Sequence, residues 1–324
     1  MGKSHHPRRG SMQFWPRKRA KVSLARIRSW KQENKPKLLG FIAYKATMSH
    51  LIVVDNRPKS LTKGEKISMA ATVVDCPPMT IAGVSLYKKT ESGLKKINSF
   101  FSEKVDKSLS RKLNLPKKKV QTANLLININ PNDFDDLRIL AYSKPPQSVG
   151  AKKPKMLEFV LGGNKESKLS YAKEILGREL QVLDVFEDGA VVDVHGITKG
   201  KGFQGTVKRY GVPIRHHKSE KTKRGIGTLG PWTPKRVQFT VPQPGKMGYH
   251  LRTEYNKQII KIGSDGKSVS PQGGIYGYGV INNSYLLVKG SIMGPKKMAV
   301  VLTQAIRSNQ KLGKESYQLV ELIK

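Results

Sequence analysis

Acidic side chains are scarce in this chain. Its 324 residues include 23 Asp and Glu against 60 Lys and Arg, a formal net charge of +37. Such a chain repels itself until a polyanion neutralises it. Nucleic acid is the first partner to consider, because every phosphate is a counter-charge, and an anionic membrane surface is the second. Cysteine is nearly absent. Cys76 stands alone, which excludes a disulfide framework and a cysteine-rich zinc site and suits a reducing compartment. In DCPPMT it precedes Pro77, where a buried or turn thiol is the expectation. No apolar run approaches the roughly 18 residues of a membrane span. The N-terminal MGKSHHPRRGSMQFWPRKRA lacks the apolar stretch of a secretory signal. It is Arg-rich and acid-poor like a transit peptide, but Pro7, Gly10 and Pro16 break the amphipathic helix that such a peptide needs. No Ser/His/Asp or Cys/His set stands out, and the kinase signatures V-A-I-K, H-R-D and D-F-G are missing.

The charge that is present is unevenly spread. Residues 1–37 hold 12 Lys and Arg and one acid, Glu33; residues 199–261 hold 15 and two acids, Glu220 and Glu254. These two segments carry +24 of the +37. They are rich in Gly and Pro and lack apolar periodicity, so neither builds a core alone. They read as extensions that become ordered against nucleic acid.

The chain's 324 residues make one large domain or two ordinary ones, and the part outside these segments reads as scaffold. LGFIAYKATMSHLIVVD (39–55) predicts two strands around a polar turn. KISMAATVVD (66–75), AGVSLYKKT (82–90), ELQVLDVFEDGAVVDVHGIT (179–198), YLLVKGSIMG (285–294) and MAVVLTQAI (298–306) add β-branched runs bounded by turn residues. Many short strands of this kind suggest a barrel. SFFSEKVDKSLSRKL (99–113) has helical spacing at Phe101, Val105 and Leu109. NPNDFDDLRILAYS (130–143) begins with capping residues and turns into a strand. SKLSYAKEILGREL (167–180) predicts a short helix with Ser170 as cap and Gly177 near its end. The fold class expected is mainly β with an α/β insertion over about 95–178. The barrel comprises 38–198 and 262–324, the basic N-terminal extension 1–37, and the basic internal loop 199–261.

GKGFQGTV (200–207) satisfies G-x-G-x-x-G through Gly200, Gly202 and Gly205. A nucleotide-binding enzyme using these glycines is the alternative to weigh. The fingerprint needs a helix next, yet Gly211, Pro213 and the β-branched Val207, Val212 and Ile214 follow. Only Glu220 stands near the place of the ribose-binding acid, inside a cationic cluster. Glycine between cations also lets a phosphate chain approach closely and the backbone turn. Lys199, Lys201, Lys208 and Arg209 flank the glycines, and Phe203, Tyr210, Trp232, Phe239, Tyr249 and Tyr255 interleave. Cations for phosphates plus rings for unpaired bases make an RNA-type surface. His5–His6 and His216–His217 are adjacent pairs whose rings are expected to point apart, a poor start for a metal site. Asp133, Asp135 and Asp136 read as a solvated helix N-terminus rather than a cation site. No metal and no cofactor is expected.

TKGKGFQGTVKRYG (198–211), LGPWTPKRV (229–237), QPGKMGYHLRTEYNKQI (243–259) and VKGSIMGPKK (288–297) resemble ribosomal protein three of the large subunit, in its archaeal form. SHHPRRGSMQFWPRKRA (4–20) is similar to the archaeal and eukaryotic branch, and LRILAYSKP (137–145) fits the archaeal pattern. The resemblance runs through most of the chain in the family's order and is least clear around 95–165. It implies a translation-protein-type β-barrel whose internal loop and N-terminal extension enter large-subunit ribosomal RNA. It further implies a cytoplasmic ribosomal protein, not an enzyme, that binds near the 3′ end of that RNA and nucleates subunit assembly. Large-subunit proteins fourteen and twenty-four-e would be neighbours, with no membrane contact and no stable homo-oligomer. Trp232 matches the family's loop-tip tryptophan near the peptidyl transferase centre. The expected RNA-binding cations are Arg8, Arg9, Arg17, Lys18 and Arg19 in the extension. In the loop they are Lys199, Lys201, Lys208, Arg209, Arg215, Lys218, Lys223, Arg224, Lys235, Arg236, Lys246 and Arg252. Gly200, Gly202 and Gly205 are expected to form a pliant hinge. Phe14 and Trp15 anchor the extension either on the barrel or on RNA. Between Arg215 and Trp232 the loop is a few residues shorter than in eukaryotic relatives.

Overall fold

The computed structural model describes residues 7–103, 105–115, 129–219, 221–308 and 317–323. His5, His6 and Glu220 lie outside the described residues. The chain divides into a smaller compact unit, Met1–Val22 with Ile197–Arg252, and a larger one, Ser23–Gly196 with Thr253–Lys324.

The fold is mainly β, as the alternating runs imply. The strands are β1 (Gly40–Asp55), β2 (Lys66–Cys76), β3 (Met79–Thr90), β4 (Gly93–Phe101), β5 (Asp136–Ser143), β6 (Lys155–Val160) and β7 (Glu179–Leu180). After helix α1 (Lys165–Ile175) and β7 come β8 (Val191–Ile197), β9 (Phe203–Gln204), helix α2 (Thr206–Tyr210), β10 (Gly245–Lys246) and β11 (Leu251–Gly263). The last are β12 (Ser284–Lys289), β13 (Ala299–Gln304) and β14 (Tyr317–Ile323). One sheet runs β13-β8-β11-β12-β2-β1-β14, and β13 also pairs β1. That second pairing closes six strands into a barrel and removes their open edges.

β1 is one strand of 16 residues, not two around a turn. It continues through Ser49 and His50 because it changes partner: Gly40–Tyr44 pairs with β13, and His50–Asp55 with β14. Its register on β2 shifts between Lys45 and Thr47. The barrel core includes Phe41, Val74, Val194, Ile259, Leu286 and Val301. Cys76 closes β2 fully buried, its thiol raised well above the usual range by burial and then by Asp75.

A second sheet, β4-β3-β5-β6 with β7 on β3, makes the α/β part together with α1. Four expectations change here. The run at 82–90 is a strand of this sheet and not of the barrel. The helix expected over 99–113 is the end of β4 followed by a single 3-10 turn, Lys107–Arg111. Phe101 pairs with Gly83 in the sheet, yet Phe101, Val105 and Leu109 still converge on Ala82 and Tyr142. Asn164, not Ser170, occupies the N-cap of α1; Ser170 donates its hydroxyl to the Glu166 carbonyl inside the helix. Asp135 and Asp136 do not open a helix. They pair with Lys165 at 3.0 Å and with Lys168 at 3.0 Å. Residues 23–37 pack with the larger unit: Ala25 is 1% exposed, and Trp30 meets Phe159 edge-on at 5.8 Å.

The tip of the β3–β4 ribbon is exposed, and Lys88 stands directly opposite Lys95. Like charges facing across a ladder are destabilising. Lys95→Glu is expected to stabilise the isolated protein by about 0.5 kcal/mol, read as a raised urea midpoint at low salt.

Candidate nucleic-acid interface

The smaller unit holds 20 Lys and Arg against one acid, Glu220. Among the described residues it contributes to no hydrophobic cluster and to no ion pair. Backbone pairing and arginine bonds to carbonyls hold it instead. β9 and β10 form an antiparallel stem, continued by Lys201 N–H to the Met247 carbonyl at 2.9 Å and Met247 N–H to the Gly202 carbonyl at 2.8 Å. Below it, Thr198 N–H donates to the His250 carbonyl at 3.0 Å. At Gly248 φ is +74°, and a Cβ would stand 2.0 Å from the Lys199 carbonyl oxygen. The stem therefore closes only over glycine there.

The N-terminal arm lies along this stem. Ala20 N–H donates to the Tyr249 carbonyl at 2.8 Å. Arg17 donates to the Arg209 carbonyl at 2.7 Å and places its guanidinium 4.3 Å from the Tyr210 ring centre. Arg209 covers the same ring at 5.1 Å and donates to the carbonyls of Gln243, at 2.8 Å, and Lys246, at 3.2 Å. A Cβ at Gly10 would fall 2.2 Å from that ring, so the arm too comes as close as glycine permits. Arg8 donates to the Thr240 carbonyl at 2.6 Å, and Arg252 to the Phe14 carbonyl at 3.3 Å. Trp15 meets Phe239 edge-on at 5.6 Å. Trp15 thus has a third kind of anchor, the basic segment itself.

His250 locks arm to stem. Its Nδ1 is 2.9 Å from the Lys18 carbonyl oxygen and must donate, while Nε2 accepts from Gly248 N–H at 3.2 Å. Burial, then the nearby Arg252, Arg17 and Arg209, push its pKa below the ordinary imidazole value. The unfolded form therefore binds the proton more readily. Stability from this group is full at neutral pH and falls as pH drops below about 6.5. Between pH 7 and pH 5 the Gly248 amide is expected to lose protection from hydrogen exchange. Protection unchanged across that range would remove His250 as the lock.

Farther out the chain has few internal partners. Arg215 N–H donates to the Lys223 carbonyl at 2.9 Å, and its side chain to the Gly225 carbonyl at 3.2 Å, closing a turn. Inside it the rings of His216 and His217 do not point apart; their centres are 4.0 Å from each other. From Gly227 to Phe239 every residue is exposed. Trp232 is 87% exposed and Phe239 73%. Large apolar side chains are thus left open within a cationic segment.

The predicted cations fall into two sets. Arg8, Arg17, Arg209, Arg215 and Arg252 donate to backbone carbonyls and brace the unit. Lys18, Lys199, Lys201, Lys208, Lys218, Lys223, Arg224, Lys235, Arg236 and Lys246 are exposed, without a side-chain hydrogen bond or ion pair among the described residues. Arg19 is exposed 5.7 Å from the Tyr249 ring, and Arg9 is partly buried. Of the rings, Tyr210 is buried under its two arginines rather than offered to bases. Among the three glycines only Gly202 has positive φ, +68°. A helix does follow them, contrary to expectation, but α2 is five residues long and leads back to an antiparallel stem. A dinucleotide fold requires a parallel strand after a full helix.

The family model described as ribosomal protein L3 matches residues 1–323. The large ribosomal subunit protein uL3 of Archaeoglobus fulgidus is 45% identical over 94% of this chain and 93% of its own length. That of Methanocaldococcus jannaschii is 44% identical over 95% and 93%. The chain belongs to the ribosomal protein L3 family. As a member it is a structural constituent of the large ribosomal subunit and not an enzyme. Among the described residues no helix is long and apolar enough to cross a membrane. What sequence reasoning missed in this L3 chain is His250 and the bracing work of the arginines. Neither leaves a periodic signal, because arginine-to-carbonyl bonds follow no spacing rule.

Proposed function

We propose that the chain is a primary binder of large-subunit ribosomal RNA, recognising it near the 3′ end and nucleating subunit assembly. The smaller unit is the part that enters the RNA. Lys and Arg along the arm and loop neutralise phosphates, and Trp232 reaches toward the peptidyl transferase centre. The family resemblance adds large-subunit proteins fourteen and twenty-four-e as neighbours. One observation carries the reading: a unit with 20 cations and one acid in its sequence has no hydrophobic cluster among the described residues and carries an exposed tryptophan. A unit so built has little reason to be ordered except against a polyanion. Glycines leave room there: a Cβ at Gly202 or Gly205 would meet nothing within 4 Å.

The test is a salt titration of the full chain on a 3′-domain RNA fragment beside equal-length duplex DNA. A complex with the RNA that survives near physiological salt, with a log–log slope of roughly −5 or steeper, is expected. Equal affinities that vanish together with salt would reduce the protein to a generic polycation.

A further inference from the structure

A cleft of about 440 Å³ opens in the smaller unit, lined in part by Phe14, Arg17, Lys199, Lys201, His250 and Arg252. Its volume lies at the low end of small-ligand sites, roughly 300–1,000 Å³, and is far below what a duplex would need. Four cations meet at it and, among the described residues, no acid lines it. Arg17 and Arg252 are fixed in advance by their bonds to the carbonyls of Arg209 and Leu251. Arg17 also keeps a buried Nε–H without a partner. Lys199 and Lys201 are exposed and have no side-chain partner among the described residues, so they can follow a phosphate. The remaining wall is uncharged. Phe14 is 52% exposed, and the Arg252 guanidinium lies 5.7 Å from its ring centre. His250 has committed both ring nitrogens to Lys18 and Gly248.

We propose that this cleft seats one unpaired nucleotide of the bound RNA, its base against Phe14 and its phosphate between Lys199 and Lys201. The proposal rests on the RNA-binding reading above and adds the conformation of the RNA at this point. A flat apolar ring beside cations favours a base that has left its stack, because every base has a π-face. A paired base could not enter, since its partner strand would come with it.

Phe14→p-benzoylphenylalanine in the full chain provides the probe. The variant is assembled on the 3′-domain fragment, irradiated, and its crosslinks mapped by primer extension. One dominant stop at an unpaired nucleotide is expected. The double variant Lys199→Gln, Lys201→Gln should then lower the crosslink yield at least fivefold at RNA excess that keeps the complex formed, and flatten the salt slope by about two. A complex that forms with wild-type affinity yet gives no crosslink, or crosslinks scattered over paired regions, would overturn the nucleotide pocket alone. Failure of the unmodified chain to bind the fragment would overturn the RNA reading itself and the pocket with it.

Discussion

Replacing Gly205–Pro244 by a two-residue Asn-Gly turn is expected to leave the larger unit folded and to abolish tight RNA binding. The join is dictated by register: Gln204 pairs with Gly245 across the stem, so a two-residue hairpin loop fits between them. The excised stretch holds Lys208, Arg209, Arg215, Lys218, Lys221, Lys223, Arg224, Lys235 and Arg236, with Glu220 the only acid. If about half of these reach phosphates, the log–log salt slope becomes shallower by roughly 4. Loss of Trp232 adds about tenfold if it stacks on a base. The combined loss near 0.2 M salt is on the order of a hundredfold or more. The three hydrophobic clusters lie wholly in the larger unit, so its melting temperature should move by no more than about 3 °C. An unchanged slope would show that this segment is not the element that meets RNA. A deletion reaching Lys261 would not test the same thing, because β11 begins at Leu251 and is a barrel strand.

That boundary shows how far charge alone can be read. Counting cations runs on through Lys257 and Lys261, which alternate with Ile260 and Ile262 on a strand. Ile259, Ile260 and Ile262 are buried, and Lys261 between them is exposed. The sign of the charge is legible there, but it masks the alternation that marks a strand. Residues 23–37 err the same way. Arg26, Arg28 and Lys31 mark them as basic, while Ala25 and Trp30 pack into the larger unit. Runs such as 66–75 and 298–306 were readable because β-branched residues alternate without interruption. The helix expected over 99–113 gives way to a strand end because Phe100 and Phe101 pair with Val84 and Gly83, a choice made by tertiary contacts. Of the candidate interface, the residue types and the exposed setting of Trp232 are legible in the sequence. The bracing bonds of Arg17 and Arg209, and the lock at His250, depend on carbonyls brought together only by folding.

Asp193→Ala is expected to have the opposite signature, a large loss of stability with the RNA salt slope kept. Asp193 sits on β8 with no exposed surface. One carboxylate oxygen accepts from Asn256 N–H at 2.9 Å and the other from Ile306 N–H at 3.0 Å. Asn256 has φ +56°, a conformation that its neighbours must hold in place. Removing the carboxylate leaves two half-buried backbone donors without that partner. Each such orphan costs about 1–3 kcal/mol. The expected loss is about 4 kcal/mol, a large share of the roughly 5–15 that holds a domain together. Asp193→Asn should fall between, since its amide keeps one acceptor and turns a donor toward the other N–H. Urea unfolding reads both, as a lowered midpoint with unchanged slope. No cation in the smaller unit is touched, so the folded fraction should still bind RNA with the wild-type salt dependence. An alanine variant as stable as wild type would mean that water satisfies both amides and that the carboxylate is not the brace of this corner. A salt slope that fell together with stability would deny that the two units divide folding and RNA binding between them.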